Sequence, residues 1–117
     1  IAVLTKLQAY AEQRNRIVIS SITYSELRFG AIGKKASAKH NLIVNEFMER
    51  IDAVLPWEKS EVEASVVIKK YLSDKGILIS NNDIMIAGHA IAADCLLVTN
   101  NTKEFIRVPS LILEDWV

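Results

Sequence analysis

Three acidic side chains occupy sequence positions that would lie at the edge of an α/β sheet where functional residues usually occur. Glu26 lies in the first turns after a short apolar strand, Asp83 opens the helix before the third apolar strand, and Glu104 follows that strand. Carboxylates brought together without basic partners repel one another unless a divalent cation balances them. Oxygen ligands of this kind suit Mg²⁺ or Mn²⁺, and such an ion can position and acidify a water that attacks a phosphodiester. The pattern therefore predicts a metal-dependent nuclease site.

Two of these acids also have a structural interpretation. Glu26 can complete a capping box with Thr23, and Asp83 can stabilise the positive end of a helix. Other common sites lack their residues, because the sequence has no GxGxxG, GxxxxGK[ST], GxSxG, HExxH or CxxC motif, which excludes dinucleotide, P-loop, α/β-hydrolase and common zinc chemistry. From residue types and spacing alone, the metal-binding and structural interpretations both stay open.

Alternating helices and strands must position these acids. Apolar residues recur at three- and four-residue spacing in the helical segments, whereas the strands are solid apolar runs. This alternation predicts a single α/β domain over 1–117, with a mostly parallel sheet flanked by helices and a binding crevice beyond the carboxyl ends of the strands. The predicted helices cover 1–13, a segment from 21–23 to about 30, 37–52, 60–76 and 81–93, and the predicted strands cover 17–19, 53–57, 96–99 and 111–113.

Cap residues mark the predicted helix ends. Hydroxyl or amide side chains start a helix by accepting a free backbone N–H, and glycine ends one because it adopts left-handed backbone angles. The predicted starts are Thr23 with Glu26, Ser60 with Glu63, and Asn81 or Asn82; the predicted ends are Gly30 or Gly33, and Gly76.

The composition is that of an ordinary globular domain. Of 117 residues, 50% are hydrophobic, and 14 Lys and Arg balance 14 Asp and Glu. A net charge of zero argues against binding nucleic acid by bulk electrostatics, so any such contact must be local. The single cysteine, Cys95, cannot form an internal disulfide, and no apolar run approaches the ~18 residues of a membrane helix. These features predict a cytoplasmic protein without a membrane segment, in which Cys95, His89 and Trp57 are packed structural residues.

Three sequence blocks, 19–30, 82–90 and 98–109, together resemble one known family. The first contains Thr-Tyr-Ser-Glu-Leu, the second Asn-Asp-Ile-Met-Ile-Ala, and the third Thr-Asn-Asn-Thr-Lys-Glu-Phe; in this order they are similar to the PIN-domain ribonucleases of the VapC toxin type. The resemblance implies a PIN-like fold and a metal-dependent endoribonuclease, the toxin of a bacterial type II toxin–antitoxin pair.

The resemblance also implies roles for individual residues. Glu26, Asp83 and Glu104 correspond to acids that hold Mg²⁺ or Mn²⁺, and Asn101 stands where many relatives have aspartate, which implies a supporting catalytic role. Relatives begin with a strand ending in an Asp-Thr-Asn-like motif, and nothing of the kind precedes Ile1. We therefore expect the sequence to be incomplete at its N-terminus, without the central strand and the first catalytic aspartate.

Substrate and partners are implied in the same way. Relatives cut structured RNA, and the subgroup this sequence most resembles cuts initiator tRNA in its anticodon stem-loop. Relatives also form homodimers and are silenced by a small VapB-type antitoxin. The absent first acid and the amide at Asn101 support an alternative, a catalytically inactive PIN-like scaffold for protein interaction. Apart from the resemblance, a stretch from Leu27 to Val44 has basic residues and no acid, and it fits either RNA phosphate binding or a solvated connection between helices. The residues expected to contact RNA are Thr23, Thr99, Arg28, Lys34 and Lys35.

Overall fold

Helices and strands alternate along the chain in a computed structural model that describes residues 2–13, 15–32, 38–99 and 101–115. The chain divides into two compact units, 1–56 and 57–117, and the single-domain assignment stays a prediction. None of the described helices has the length and apolar character that crossing a bilayer requires. The elements are α1 (Ala2–Glu12), β1 (Val18–Ser20), α2 (Ser21–Ile32), α3 (Ala38–Glu49), β2 (Ala53–Leu55), α4 (Lys59–Asp74), α5 (Asn81–Ala92), β3 (Leu97–Val98), α6 (Thr102–Phe105) and β4 (Leu113–Glu114).

In the first unit, β1 and β2 form a parallel pair in which Ile19 lies opposite Val54. The register is fixed just before the strands by two bonds in opposite directions. The N–H of Ile17 donates to Asp52 Oδ2 at 2.6 Å, and the N–H of Asp52 donates to the carbonyl of Ile17 at 2.7 Å. Ile19 is buried, as expected of a strand read from a solid apolar run.

In the second unit, β3 and β4 form another parallel pair, with Leu97 opposite Leu113. The ladder contains bonds from the N–H of Leu97 to the carbonyl of Ile112 at 2.9 Å and from the N–H of Thr99 to the carbonyl of Glu114 at 3.0 Å. Both described pairs are parallel, so the prediction of a mostly parallel α/β fold is confirmed.

The core of the second unit lies between α4 and α5 and is closed by the segment around α6. Its buried residues share helical spacing on α4 and α5, which turns one apolar stripe of each helix inward. Burying each large apolar side chain contributes about 1.5–3 kcal/mol. This packing holds the first turn of α5 and the segment after β3 in one body. The buried residues are Ile68, Leu72, Ile84, Ala87, Phe105 and Val108.

The predicted starts of these helices agree with the structure to within one residue, but the predicted cap residues are wrong by one to three positions. The α2 helix begins at Ser21, and Ser20 Oγ accepts the N–H of Ile22 at 3.1 Å, so Thr23 already lies inside the helix and cannot cap it. The α4 helix begins at Lys59 after Glu58, whose side chain makes no capping bond. In α5 the cap is Ser80 rather than either asparagine. In α2 and α5 a serine oxygen one to three residues earlier accepts the free N–H in place of the predicted cap.

Two helices end in the same left-handed motif, and only one of them uses glycine. Gly76 has φ +68° after α4, which confirms the prediction, and the N–H of Ile77 bonds the carbonyl of Leu72 at 2.9 Å. After α5, Asp94 has φ 54°, and the N–H of Cys95 bonds the carbonyl of Ala90 at 2.8 Å. These are Schellman motifs, in which the left-handed residue lets the next N–H satisfy a free helix carbonyl.

Other boundaries differ from the predicted ones. Gly30 lies inside α2 rather than at its end, and Gly33 is outside the described residues. The second strand stops at Leu55, ahead of Pro56, instead of continuing to Trp57. The helix α6 occupies a segment for which the sequence predicted no element, because four residues carry too little periodicity to be recognised.

Candidate active site

Asp83 lies in the first turn of α5, where backbone N–H groups have no partner within the helix. Ser80 precedes the helix, and its Oγ accepts the N–H of Asp83 at 3.1 Å. The next residue, Ile84, is buried in the core of the second unit. The turn is therefore fixed by a cap on one side and a core residue on the other, and the positive end of the helix favours a carboxylate at this position.

Asn101 lies beside Asp83, although 18 residues separate them in the sequence. Its side-chain Nδ2 donates to Asp83 Oδ2 at 3.4 Å, and its backbone N–H donates to Thr99 Oγ1 at 3.1 Å. The sequence placed Asp83 at the start of a helix and Asn101 after the third strand, and the structure brings these two residues together. The amide supplies a donor to the carboxylate, which an aspartate at position 101 could not do in its ionised form.

Glu104 is carried by the same segment as Asn101. The carbonyl of Asn101 accepts the N–H of Glu104 at 3.3 Å and the N–H of Phe105 at 3.4 Å, so Asn101 forms the start of α6. Phe105 is buried in the core, whereas Glu104 is half-buried. The short helix thus anchors the segment through Phe105 and carries a second carboxylate one turn after the amide.

Glu26 lies on α2 in the first unit, where its side chain is exposed. Thr23 is half-buried one turn earlier. Arg28 donates from Nε to the hydroxyl of Tyr24 at 3.0 Å, and its guanidinium lies 5.1 Å from the centre of that ring. The juxtaposition of Glu26 with Asp83 stays a prediction. Lys34 and Lys35 fall outside the described residues.

A buried histidine lies farther along the helix that carries Asp83. His89 is 3% exposed, its Nε2 lies 3.9 Å from Glu61 Oε1 on α4, and the ring of Trp57 meets it edge-on at 5.7 Å between centroids. Burial lowers the pKa of His89, and the nearby carboxylate of Glu61 opposes that shift. The hydrogen bond from Ser60 lowers the pKa of Glu61.

Packing of His89 confirms the sequence interpretation, but sequence reasoning missed its partner. The signal available was that a buried imidazole needs a polar or charged neighbour. Two glutamates, Glu61 and Glu63, occur on α4, and the rotation of that helix against α5 decides which one lies beside His89. Cys95 is half-buried, which is less burial than we expected for this residue.

A comparison with known families covers most of the chain: the profile described as PIN domain matches residues 2–111. The chain belongs to the PIN-domain family. Two similar proteins carry VapC names. Ribonuclease VapC2 of Rickettsia felis is 38% identical over 104 residues, which are 89% of this chain and 77% of the relative. The tRNA(fMet)-specific endonuclease VapC of Salmonella typhimurium is 37% identical over 102 residues, 87% of this chain and 76% of the relative.

Solved structures agree with this assignment. The crystal structure of VapBC2 from Rickettsia felis bound to a promoter DNA fragment contains a chain with a TM-score of 0.86 and 37% identity, covering 97% of this PIN domain and 84% of that chain. DNA-bound VapBC from Salmonella typhimurium gives a TM-score of 0.81 and 34% identity, over 94% of this chain and 83% of the other. The resemblance noted in the sequence and the PIN-like α/β fold are both confirmed.

The groups around Asp83 suit a hard cation in their chemistry. The carboxylate of Asp83 and the carbonyl oxygen of Asn101 are oxygen donors of the type Mg²⁺ and Mn²⁺ prefer, and Glu104 follows on the same segment. Among the residues that the structure describes, no three His, Cys, Asp or Glu side chains form a cluster able to hold a metal ion by themselves. The metal site of this PIN domain, with Glu26 as a further ligand, stays a prediction.

Proposed function

We propose that this PIN-domain chain is a Mg²⁺- or Mn²⁺-dependent endoribonuclease, the toxin of a type II toxin–antitoxin pair. The observation that carries the proposal is the pairing of Asp83 with Asn101 at the start of α5, in a chain 34–38% identical to proteins named VapC ribonucleases. A carboxylate held at a helix start, next to the side-chain amide of Asn101 and ahead of Glu104, is an arrangement suited to a cation and a phosphodiester.

The roles of the residues follow from their positions. Asp83, Glu104 and Glu26 would hold the cation, with Asn101 supporting them. When bound, the cation supplies water activation and offsets negative charge on the phosphate. The reaction is a hydrolysis in which a water oxygen bonds to phosphorus and the bond from phosphorus to the 3′ oxygen breaks. The products are a 5′-phosphate and a 3′-hydroxyl, and the protein forms no covalent bond to the RNA.

The proposed substrate is structured RNA, in particular initiator tRNA at its anticodon stem-loop. Two similar proteins, from Salmonella typhimurium and Shigella flexneri, are named tRNA(fMet)-specific endonucleases. Because the chain has no net charge, selection would rest on local contacts and loop shape. Arg28, held along the Tyr24 ring, offers an exposed charge and a flat face to RNA; Thr23, Lys34 and Lys35 complete the proposed contact set.

The proposed partners are a VapB-type antitoxin and a second copy of the chain. Support for the antitoxin comes from similar solved structures that are VapBC complexes. Such a toxin would act in the cytoplasm, where its RNA substrate and its antitoxin are made.

The proposal is tested by cleavage of initiator tRNA with Mg²⁺, with Mn²⁺ and with EDTA, using wild type and Asp83→Asn. Loss of one ligand charge should lower the cleavage rate by about 100-fold or more. Asp74→Asn is the matched control, because Asp74 is an exposed acid of the same unit paired with Lys70 at 2.6 Å, and it should cleave at the wild-type rate. Cleavage that survives both EDTA and Asp83→Asn contradicts the mechanism. If the natural protein, with any segment that precedes Ile1, is folded and cuts no RNA, that result would favour the interaction scaffold.

A further inference from the structure

Thr99 is held at the end of β3 in a way that fixes its hydroxyl. Its backbone N–H donates to the carbonyl of Glu114 at 3.0 Å, which continues the parallel ladder by one residue. Its side chain is half-buried, and its Oγ1 accepts the backbone N–H of Asn101 at 3.1 Å. The hydroxyl therefore has a protein partner, and it turns the chain out of the sheet towards α6.

Asn101 transmits that placement to Asp83. The backbone of Asn101 is fixed from both sides, because its N–H bonds Thr99 Oγ1 and its carbonyl receives the first bonds of α6. The amide end that faces Asp83 is the donor, since its carbonyl oxygen would repel the carboxylate. The 3.4 Å bond from Nδ2 to Asp83 Oδ2 therefore depends on where Thr99 places the loop.

Asp83 has little other freedom. Ser80 Oγ accepts the backbone N–H of Asp83 and so fixes the first turn of α5. The rotation of the carboxylate about its own side-chain bonds remains, and the bond from Asn101 restrains that rotation. A carboxylate restrained before it meets a cation loses less rotational freedom on binding.

We propose that Thr99 is a positioning residue, which orients the carboxylate of Asp83 through Asn101, and that it does not bind the RNA phosphate. This proposal revises the substrate-binding role expected for Thr99 from the sequence. It rests on the proposed function insofar as Asp83 is the ligand that needs orienting. The chain of contacts runs from β4 through Thr99 and Asn101 to Asp83, entirely within the second unit.

The test uses Thr99→Val, which removes the acceptor and keeps the branched shape, and Thr99→Ser, which keeps the hydroxyl. Mn²⁺ affinity is measured by titration calorimetry without RNA. We expect Thr99→Val to weaken Mn²⁺ binding about fivefold, the loss that one hydrogen bond typically produces, and Thr99→Ser to bind like wild type. Asn101→Ala should also weaken binding, and adding Thr99→Val to it should cause no further loss, because both changes cut the same path.

A second readout works without metal or catalysis. In metal-free protein, Thr99→Val and Asn101→Ala should both move the carboxyl ¹³C resonance of Asp83, whereas Thr99→Ser should leave it in place. An unchanged Asp83 resonance in Thr99→Val overturns the proposal. So does a higher KM for RNA at unchanged Mn²⁺ affinity, which is the result of a direct phosphate contact. Failure of the natural protein, with any segment that precedes Ile1, to cleave RNA would refute the proposed function instead, and the Asp83 resonance would still decide the role of Thr99.

Discussion

Replacing Gly88 by alanine tests the close approach of α5 to α4. A Cβ built on Gly88 would lie 2.2 Å from Ser65 Oγ, 2.8 Å from Ser65 N and 2.9 Å from Ser65 Cα. Carbon atoms in contact normally lie about 3.5–4.0 Å apart, so α4 would have to move by roughly 0.6 Å or more. A rotamer change could relieve the contact with the hydroxyl, but it could not relieve the two contacts with the backbone.

Two opposing effects determine how Gly88→Ala changes the free energy of unfolding. Alanine is about 1 kcal/mol better than glycine inside a helix, whereas overpacking a filled core costs about 1–3 kcal/mol. Because the contact is with backbone atoms, which cannot move aside easily, we expect the cost of overpacking to lie near the upper end of this range. The free energy of unfolding should therefore fall by about 1–2 kcal/mol. Urea unfolding followed by circular dichroism measures this difference directly.

Two further variants make the result interpretable. Gly30→Ala changes an exposed glycine inside α2, so it should show the helix gain alone, up to about 1 kcal/mol. Ser65→Ala removes a hydroxyl that is buried without a hydrogen-bond partner in the described part of the chain, and in the Gly88→Ala background it should recover only part of the loss. If Gly88→Ala is as stabilising as Gly30→Ala, the two helix backbones are not in contact and the packing that places α5 is wrong.

Three other predictions follow from the helices and from Asn101. Because the pKa of His89 is lowered in the folded protein, the unfolded chain binds the proton more readily. The free energy of unfolding should therefore fall as pH drops from about 6.5 towards the folded-state pKa. In urea titrations at several pH values, His89→Phe should lose this pH dependence of the free energy of unfolding. At the two left-handed helix ends, Asp94→Gly should raise and Gly76→Ala should lower the free energy of unfolding by about 1 kcal/mol each; equal effects of one sign would contradict the left-handed assignment. Asn101→Asp should tighten Mn²⁺ binding about tenfold in calorimetry, because added ligand charge strengthens a hard-cation site, and unchanged affinity would place position 101 outside the metal site.

The fold was predictable where local pattern and tertiary packing agree. Solid apolar runs such as 17–19 and 96–99 were recognised as parallel strands, and the apolar stripe of α4 was recognised as a helix. The caps at the helix N-termini were not predictable from the sequence. Ser80, Asn81 and Asn82 are three consecutive residues that can each cap a helix, and only the packing of Ile84 selects Ser80. The existence of α6 depends on Phe105 reaching the core, which is a tertiary contact with no local signal.

The site was predictable in its parts and less so in its contacts. The rule that polar residues gather at the ends of parallel strands placed Glu26, Asp83 and Glu104 at one edge, and their meeting stays a prediction. The contact between Asn101 and Asp83 was not predicted. The direction of their hydrogen bond was missed, because an amide can either donate or accept. The pairing of His89 with Glu61 was missed as well, since the relative rotation of α4 and α5 is not encoded in the spacing of either helix alone.

The strands β3 and β4 are only two residues long, so few hydrogen bonds hold this parallel pair together. This short ladder supports the segment that carries Asn101. The carbonyl that receives the N–H of Thr99 belongs to Glu114, which is not one of the acids proposed to hold the cation. Loss of this one bond would loosen the support of Thr99 and Asn101 while leaving every carboxylate of the proposed site in place. The geometry of the proposed site would then depend on a strand pair that supplies none of its ligands.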